Sequence, residues 1–274
     1  DPHATISIHE DLWSKNAVRF FKINGKVDGN NQSDLRTTRI VAMLGMLAKP
    51  GAEKAVTIGL GIGSTVSETL GFPKMKKAKV IELSSAMIQF SKKYFPEVNS
   101  SIWNDPRFSV ENRDGREFLR HTREFFDLII SEPSNPWVDG VSSLFTQEYY
   151  QLVSNRLSPK GIASLWFHTY GLDCSAVASV LSAASEVFKN LLLFKIQGDL
   201  YMLGSKEQEL IQLFPIPSEK KSVETDLFRF AGINEYQSRE KAYKDFLNNS
   251  LLMDRNEILR FTHLFETNRD DNQY

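Results

Sequence analysis

The sequence predicts an α/β chain built on a doubly wound, mostly parallel sheet. Five short apolar, β-branched runs between residues 55 and 167 alternate with segments of helical period. Most of these runs end in a glycine or an acid, where a parallel sheet hands over to a loop. The length of 274 residues, 41% hydrophobic and 24% charged, suits one such domain with an appendage or two small domains.

The elements follow in chain order. Residues 5–9 and 18–23 alternate in strand fashion, and Asn24-Gly25 before Lys26-Val27 is a hairpin signal. Leu35, Ile40, Met43-Leu44 and Leu47 are spaced for a helix that Ser33 would cap and Pro50-Gly51 would end. Residues 1–48 are thus expected to form an N-terminal hairpin and helix. Strands are then predicted at 55–58, 79–83, 108–111, 126–130 and 161–167. Helices are expected at 65–70, 84–95, 115–121, 147–157 and 175–187, and a closing antiparallel hairpin at 191–196 and 200–203, split by Gly198-Asp199. This places the main domain at 49–204. Beyond Ser205 the composition shifts through Pro215 and Pro217, and 205–274 reads as a small, mainly helical extension.

Composition excludes several function classes. Lys+Arg 33 against Asp+Glu 34 leaves a net charge of −1, without the basic footprint of a nucleic-acid partner. The single cysteine, Cys174, excludes an intramolecular disulfide and a thiolate-rich metal site. No His/Asp/Glu cluster has metal spacing, so no metal is expected. A lone cysteine fits a reducing, cytoplasmic location. No apolar run approaches the roughly 18 residues of a membrane span, and the opening Asp1-Pro2-His3 lacks a signal peptide's pattern. A start without Met reads as a processed fragment.

Ligands of such sheets bind at the carboxyl ends of the strands. Gly59-Leu60-Gly61-Ile62-Gly63 follows the first parallel strand, and its glycines permit a tight turn and close approach to a nucleotide-type ligand. Ser64 occupies the sixth position, so this is not the dinucleotide fingerprint. Glu82 ends the next strand and suits the two hydroxyls of a ribose. Asp114, before Gly115, suits either an adenine amino group or the cap of the following helix. Ser131-Glu132-Pro133-Ser134-Asn135-Pro136-Trp137 brings an acid, an amide and an indole onto a rigid loop across from the glycine turn. His168 and Tyr170 face the same rim. A P-loop lysine and a G-x-S-x-G elbow are both missing.

In order, the glycine turn, Val80-Ile81-Glu82, Asp105-Pro106-Arg107, Arg113-Asp114-Gly115-Arg116, 126–130, 144–150 and 157–161 resemble the spermidine synthase (polyamine aminopropyltransferase) family. The similarity runs from about Ile23 to Gly204. It implies the Rossmann-like fold of class I S-adenosylmethionine-dependent methyltransferases. Ile23-Asn24-Gly25-Lys26-Val27-Asp28, the 131–137 loop and Thr267-Asn268-Arg269-Asp270-Asp271 are most similar to a spermidine-synthase-like branch often fused to membrane segments. That branch implies a longer parent with a membrane segment, and the family often forms a homodimer.

The resemblance carries roles with it. Gly59, Gly61 and Gly63 would wrap the nucleoside, Glu82 the ribose, and Arg113, Asp114 and Gly115 the adenine. Glu132 falls where the family's catalytic aspartate sits. Asn135 replaces an amine-binding aspartate, Asp28 replaces the glutamine after the hairpin, and Ile62 stands where family members carry an acid for the donor's ammonium. Thr37-Thr38-Arg39 replaces a Tyr-His-Glu of the helix. Asp28, Asn135 and Tyr170 are thus the candidate substrate residues. The nucleoside half is kept and the amine half rewritten. The first expected function is aminopropyl transfer from decarboxylated S-adenosylmethionine to a small-molecule amine. Methyl transfer from S-adenosylmethionine, with Arg39 near the donor's carboxylate, is the second. An adenosyl-binding domain without turnover is the third.

Overall fold

The computed structural model describes residues 4–11, 13, 18–134, 140–209, 211–213, 241, 245–246 and 249–271. It opens on a three-stranded antiparallel sheet of β1 (Ile6–Asp11), β2 (Val18–Ile23) and β3 (Lys26–Asn30). Asn24 at φ 51° and Gly25 at φ 86° supply the two left-handed residues that a two-residue hairpin needs. Helix α1 (Asp34–Ala48) follows. Ser33 does not cap it, because Ser33 itself takes helical angles (φ −60°, ψ −43°) and its hydroxyl cannot reach back to the first turn. Asn30 Oδ1 accepts the Asp34 N–H at 3.3 Å in its place.

The main sheet has eight strands: β4 (Lys54–Ile58), β5 (Lys77–Glu82), β6 (Phe108–Asn112), β7 (Phe126–Ser131), β8 (Leu157–His168), β9 (Asn190–Ile196), β10 (Asp199–Ser205) and β11 (Leu251–Asp254). Their order is β11-β9-β10-β8-β7-β4-β5-β6. Strands β4 to β8 are mutually parallel, and β10, β9 and β11 add on antiparallel. The connecting helices are α2 (Ser64–Leu70), α3 (Ser85–Tyr94), α4 (Pro96–Asn99), α5 (Gly115–His121), α6 (Gln147–Arg156) and α7 (Cys174–Val187). The chain reverses direction across the sheet at β4, which lies between β5 and β7, so ligands are expected at its carboxyl end.

Side-chain alternation along the strands creates two cores. Ala55, Ile130, Trp166, Tyr201 and Leu203 pack with α1 on one face, while Val56, Ile129, Leu165, Phe167 and Leu200 pack with α6 and α7 on the other. Helix α1 therefore belongs to the main core, and the N-terminal sheet is held by a separate small cluster of Phe21, Ile62, Met87 and Phe95.

The tail is less purely helical than its composition predicts. Strand β11 extends the sheet beside β9, and α8 (Arg255–Thr262) opens with a capping box between Asp254 and Glu257. Residues 214–240, including Pro215 and Pro217, lie outside the described residues. Farther on, Asn268 is buried and donates to the Phe145 carbonyl at 3.0 Å. Asp270 pairs with Arg116 and accepts from Thr146 at 2.9 Å. Among the described residues no helix is long and apolar enough to cross a membrane, and no group of three or more His, Cys, Asp or Glu side chains could hold a metal ion.

Candidate active site

The glycine turn leaves β4 with left-handed angles at Gly59, Gly61 and Gly63 (φ 96°, 50° and 82°), a conformation that side chains with a Cβ adopt at a cost. At Gly59 a Cβ would also lie 3.2 Å from the Glu132 carbonyl, so the turn and the β7 loop touch backbone to backbone. Gly63 caps α2. Asn99, fully buried, braces the turn from behind by donating to the Ile62 carbonyl at 2.9 Å and to Ser91 at 2.9 Å. Its distance along the chain hides that role from sequence reasoning. Ile62 is buried in the small cluster under the N-terminal sheet.

Glu82 stands beside the turn. Its carboxylate accepts the Leu60 N–H at 2.9 Å and the Ser84 N–H at 2.8 Å, leaving further lone pairs on both oxygens. Burial, the larger influence, and the nearby Asp28 charge push this carboxyl above its ordinary range despite those donors. Arg113 is exposed and donates its backbone N–H to the Glu82 carbonyl at 2.9 Å. Asp114, also exposed, caps α5 by accepting the Glu117 N–H at 2.7 Å. Gly115 is needed for packing: a Cβ there would stand 2.4 Å from Ile58 Cγ2, so only glycine lets α5 start against β4.

Glu132 follows β7. Ser131 turns to the α6 face, where its hydroxyl lies 2.7 Å from that of Tyr149, so alternation sends Glu132 to the α1 face. Its carboxylate accepts from Thr65 of α2, and Thr65 also donates to the Thr38 carbonyl at 3.1 Å. Burial, with no cationic partner among the described residues, pushes Glu132 up to about 8. Ser134 donates to Asp28 at 2.6 Å, tying this loop to β3, and Lys26 neutralises Asp28 at 2.8 Å. Asn135 lies outside the described residues, as do Pro136 and Trp137.

The far rim comes from α1, β8 and β10. Pairing of Asp199 with His168 in the β10–β8 ladder brings their side chains to 2.7 Å, His168 Nδ1 to Asp199 Oδ1. Thr37 donates to the other Asp199 oxygen at 2.8 Å. Asp34, one helical turn earlier, accepts from Asn30 at 2.8 Å and Ser33 at 3.2 Å. Burial, the larger influence, raises its carboxyl, with His168 and Asp199 close enough to act on it. Tyr201 is buried two residues beyond Asp199, its phenol raised by burial and by the charges of Asp199 and Glu132. Tyr170 is exposed, its ring 4.6 Å from that of His168. Glu132, His168, Asp199 and Tyr201 thus share one face of the sheet opposite α1. Asp199 and Tyr201 are not among the site residues that sequence reasoning singles out, and Thr37 figures there only within the stretch that replaces a Tyr-His-Glu.

A family model described as the spermine/spermidine synthase domain matches residues 35–196. The polyamine aminopropyltransferase of Leptospira biflexa is 30% identical over 155 residues, covering 55% of this chain and 54% of that relative. Putrescine N-methyltransferase 2 of Nicotiana attenuata is 26% identical over 192 residues, 67% of this chain and 50% of the relative. The chain thus spans about half the length of these curated relatives. A crystal structure of spermidine synthase in complex with the transition state analogue AdoDATO shares the fold, with a TM-score of 0.72 at 22% identity over 96% of this chain and 86% of that one. Because the matched stretch runs from the first turn of α1 to the end of β9, more than half of the sequence, the chain belongs to the spermine/spermidine synthase family.

Proposed function

We propose that this chain binds decarboxylated S-adenosylmethionine and transfers its aminopropyl group to a small-molecule amine. One observation carries the reading: Glu132 leaves its strand with its backbone against the glycine turn, and its carboxyl, held up to about 8 by burial, has no cation beside it among the described residues. In this reading Gly59, Gly61 and Gly63 wrap the nucleoside, and Glu82 takes the ribose hydroxyls on its remaining lone pairs. Arg113, Asp114 and Gly115 border the base.

Glu132 accepts a proton from the acceptor's ammonium, which frees a nitrogen lone pair. That lone pair attacks the carbon beside the sulfonium; the C–N bond forms, the C–S bond breaks, and methylthioadenosine leaves as a neutral thioether. The leaving group needs no acid, so alignment and the placement of negative charge supply most of the rate. A bound sulfonium lowers the Glu132 carboxyl from its ligand-free position, which readies it as a base near neutral pH.

The test is release of methylthioadenosine from decarboxylated S-adenosylmethionine with 1,4-diaminobutane or related amines. Glu132→Gln is expected to lower kcat/KM by about 10²- to 10³-fold. No release across a panel of amines would overturn the reading.

Methyl transfer from S-adenosylmethionine is the second reading, and Ile62 favours it. Its side chain is buried in an apolar cluster, so no acid of the turn reaches the donor's tail. The similarity to a putrescine N-methyltransferase points the same way. Calorimetry with the two donors separates the readings: tighter binding of the decarboxylated form supports aminopropyl transfer, and the reverse supports methyl transfer.

A further inference from the structure

Residues 267–270 lie far along the chain from the glycine turn, yet they are bonded as a core element would be. Asn268 is 2% exposed, and an amide so buried is costly unless its polar groups find partners. Its side chain donates to the Phe145 carbonyl at 3.0 Å and its backbone N–H to the Ser179 carbonyl of α7 at 3.2 Å. Its own carbonyl accepts the Gln147 N–H at 2.9 Å. Thr267 joins Ser182 of α7 through its hydroxyl at 2.8 Å. A segment pinned at once to α7, to the first residue of α6 and to the short 3₁₀ turn Ser142–Phe145 keeps those three in one arrangement.

Asp270 carries the grip to α5. Its carboxylate pairs with Arg116 and accepts at 2.9 Å from Thr146, the cap of α6. Arg116 in turn donates to the Ser143 carbonyl of the 3₁₀ turn at 2.8 Å. Its side chain is only 12% exposed, and a largely buried guanidinium that loses its carboxylate is left uncompensated. Arg116 directly follows Asp114 and Gly115, the two residues set against the base in the reading above. On the far side of the same helix start, Gly115 packs on Ile58 of β4. The start of α5 is thus held from one side by β4 and from the other by Asp270.

We infer that residues 267–270 form a strap that fixes the nucleoside wall of the site, with Asp270 and Asn268 as positioning residues acting through Arg116 and the 3₁₀ turn. The inference rests on the adenosyl-binding part of the reading above. It adds a determinant of donor affinity that lies outside the family match at residues 35–196. Docking of the strap and binding of the nucleoside then favour each other by the same factor. A merely structural tail would lower stability and leave the affinity of the folded molecules unchanged.

The test is calorimetry with methylthioadenosine on the full chain, well below its melting temperature. Asp270→Asn and Asn268→Ala are each expected to weaken binding at least about fivefold, and Asp270→Glu to recover part of the loss. Arg116→Gln combined with Asp270→Asn should weaken it no more than Arg116→Gln alone, because both break one link. Asp254→Ala, which removes the capping box of α8, should lower the melting temperature and leave the affinity as it was. Hydrogen exchange on the wild type gives a measurement that no variant's folding can spoil. Methylthioadenosine at one hundred times its dissociation constant should slow the Asn268 and Gln147 amides at least about tenfold. Wild-type affinity in Asp270→Asn, an equal loss in Asp254→Ala, or exchange at Asn268 that ignores the ligand would each overturn the strap and leave the adenosyl reading standing. A wild type that binds no methylthioadenosine would overturn that reading, and the strap with it.

Discussion

Glu132 couples the site to the stability of the whole chain. In the folded protein its carboxyl keeps a proton up to about pH 8, while in the unfolded chain it ionises near its ordinary 4.5. The native state therefore binds more protons between those values. The contribution is fully present below about pH 4.5 and is lost as pH rises through 8. Glu132→Gln removes the dependence. The melting temperature of the wild type should fall relative to that variant between pH 5 and 8, by the equivalent of a few kcal/mol. Equal pH profiles for the two proteins would show that Glu132 ionises freely. Gly115 makes a different demand. Gly115→Ala places a Cβ 2.4 Å from Ile58 Cγ2, so α5 must move away from β4. A loss of about 1 to 3 kcal/mol in chemical denaturation is expected. Weaker nucleoside binding should accompany it.

At the scale of elements, the central parallel strands β4, β7 and β8 were legible because each holds an apolar run covered on both faces, while the edge strand β6 is only partly covered and shows in its Phe108 and Val110 alternation. The glycine turn and Glu82 were legible for a related reason, since the end of a strand fixes what comes next. Strand β11 was not, because its Leu251 and Leu252 are exposed at a sheet edge and carry no alternation. The His168–Asp199 pair was hidden by register. A hairpin at β9–β10 is readable from its turn, but which β8 residue faces Asp199 depends on a ladder between β8 and β10. Thr37 meets Asp199 across 162 residues, a separation that local patterns do not encode. Near the amino ends of the strands, Glu124 joins Lys54 at 2.6 Å and Lys79 at 2.8 Å. Those two ammonium groups hold its carboxyl down to about 2. Its contribution is present above the ordinary 4.5 and is lost as pH falls through 2. Because the carboxylate is 37% exposed, Glu124→Gln should cost no more than about 1 kcal/mol at pH 7, and nothing near pH 2. Urea titrations at the two pH values check this.

For the molecule as a whole, on the proposed reading, a ligand held by the glycine turn, Glu82 and α5 would bridge several elements and stabilise the folded state by mass action. At one hundred times its dissociation constant, methylthioadenosine should add about 2.7 kcal/mol, a rise in melting temperature of roughly 5 to 10 °C. A flat thermal shift at saturating nucleoside would argue against the adenosyl reading. The tail should share in this gain, since Asp270 grips Arg116 beside the start of α5.

The slender attachment of the N-terminal sheet also has a dynamic consequence. Among the described residues, the three strands rest on a small cluster of four buried side chains with Ile6, Ile8 and Ile23 partly buried around it and with Arg19 and Asn31 reaching Glu97, while β4 to β10 lie between two large cores. Amide protons of β1 to β3 should therefore exchange with solvent through a local opening that leaves the main sheet intact. Asp28 rides on that flap, and its bond to Ser134 is one of the latches. On the proposed reading, a bound nucleoside and amine should slow exchange in β1 to β3, and hydrogen exchange with and without the two ligands measures it.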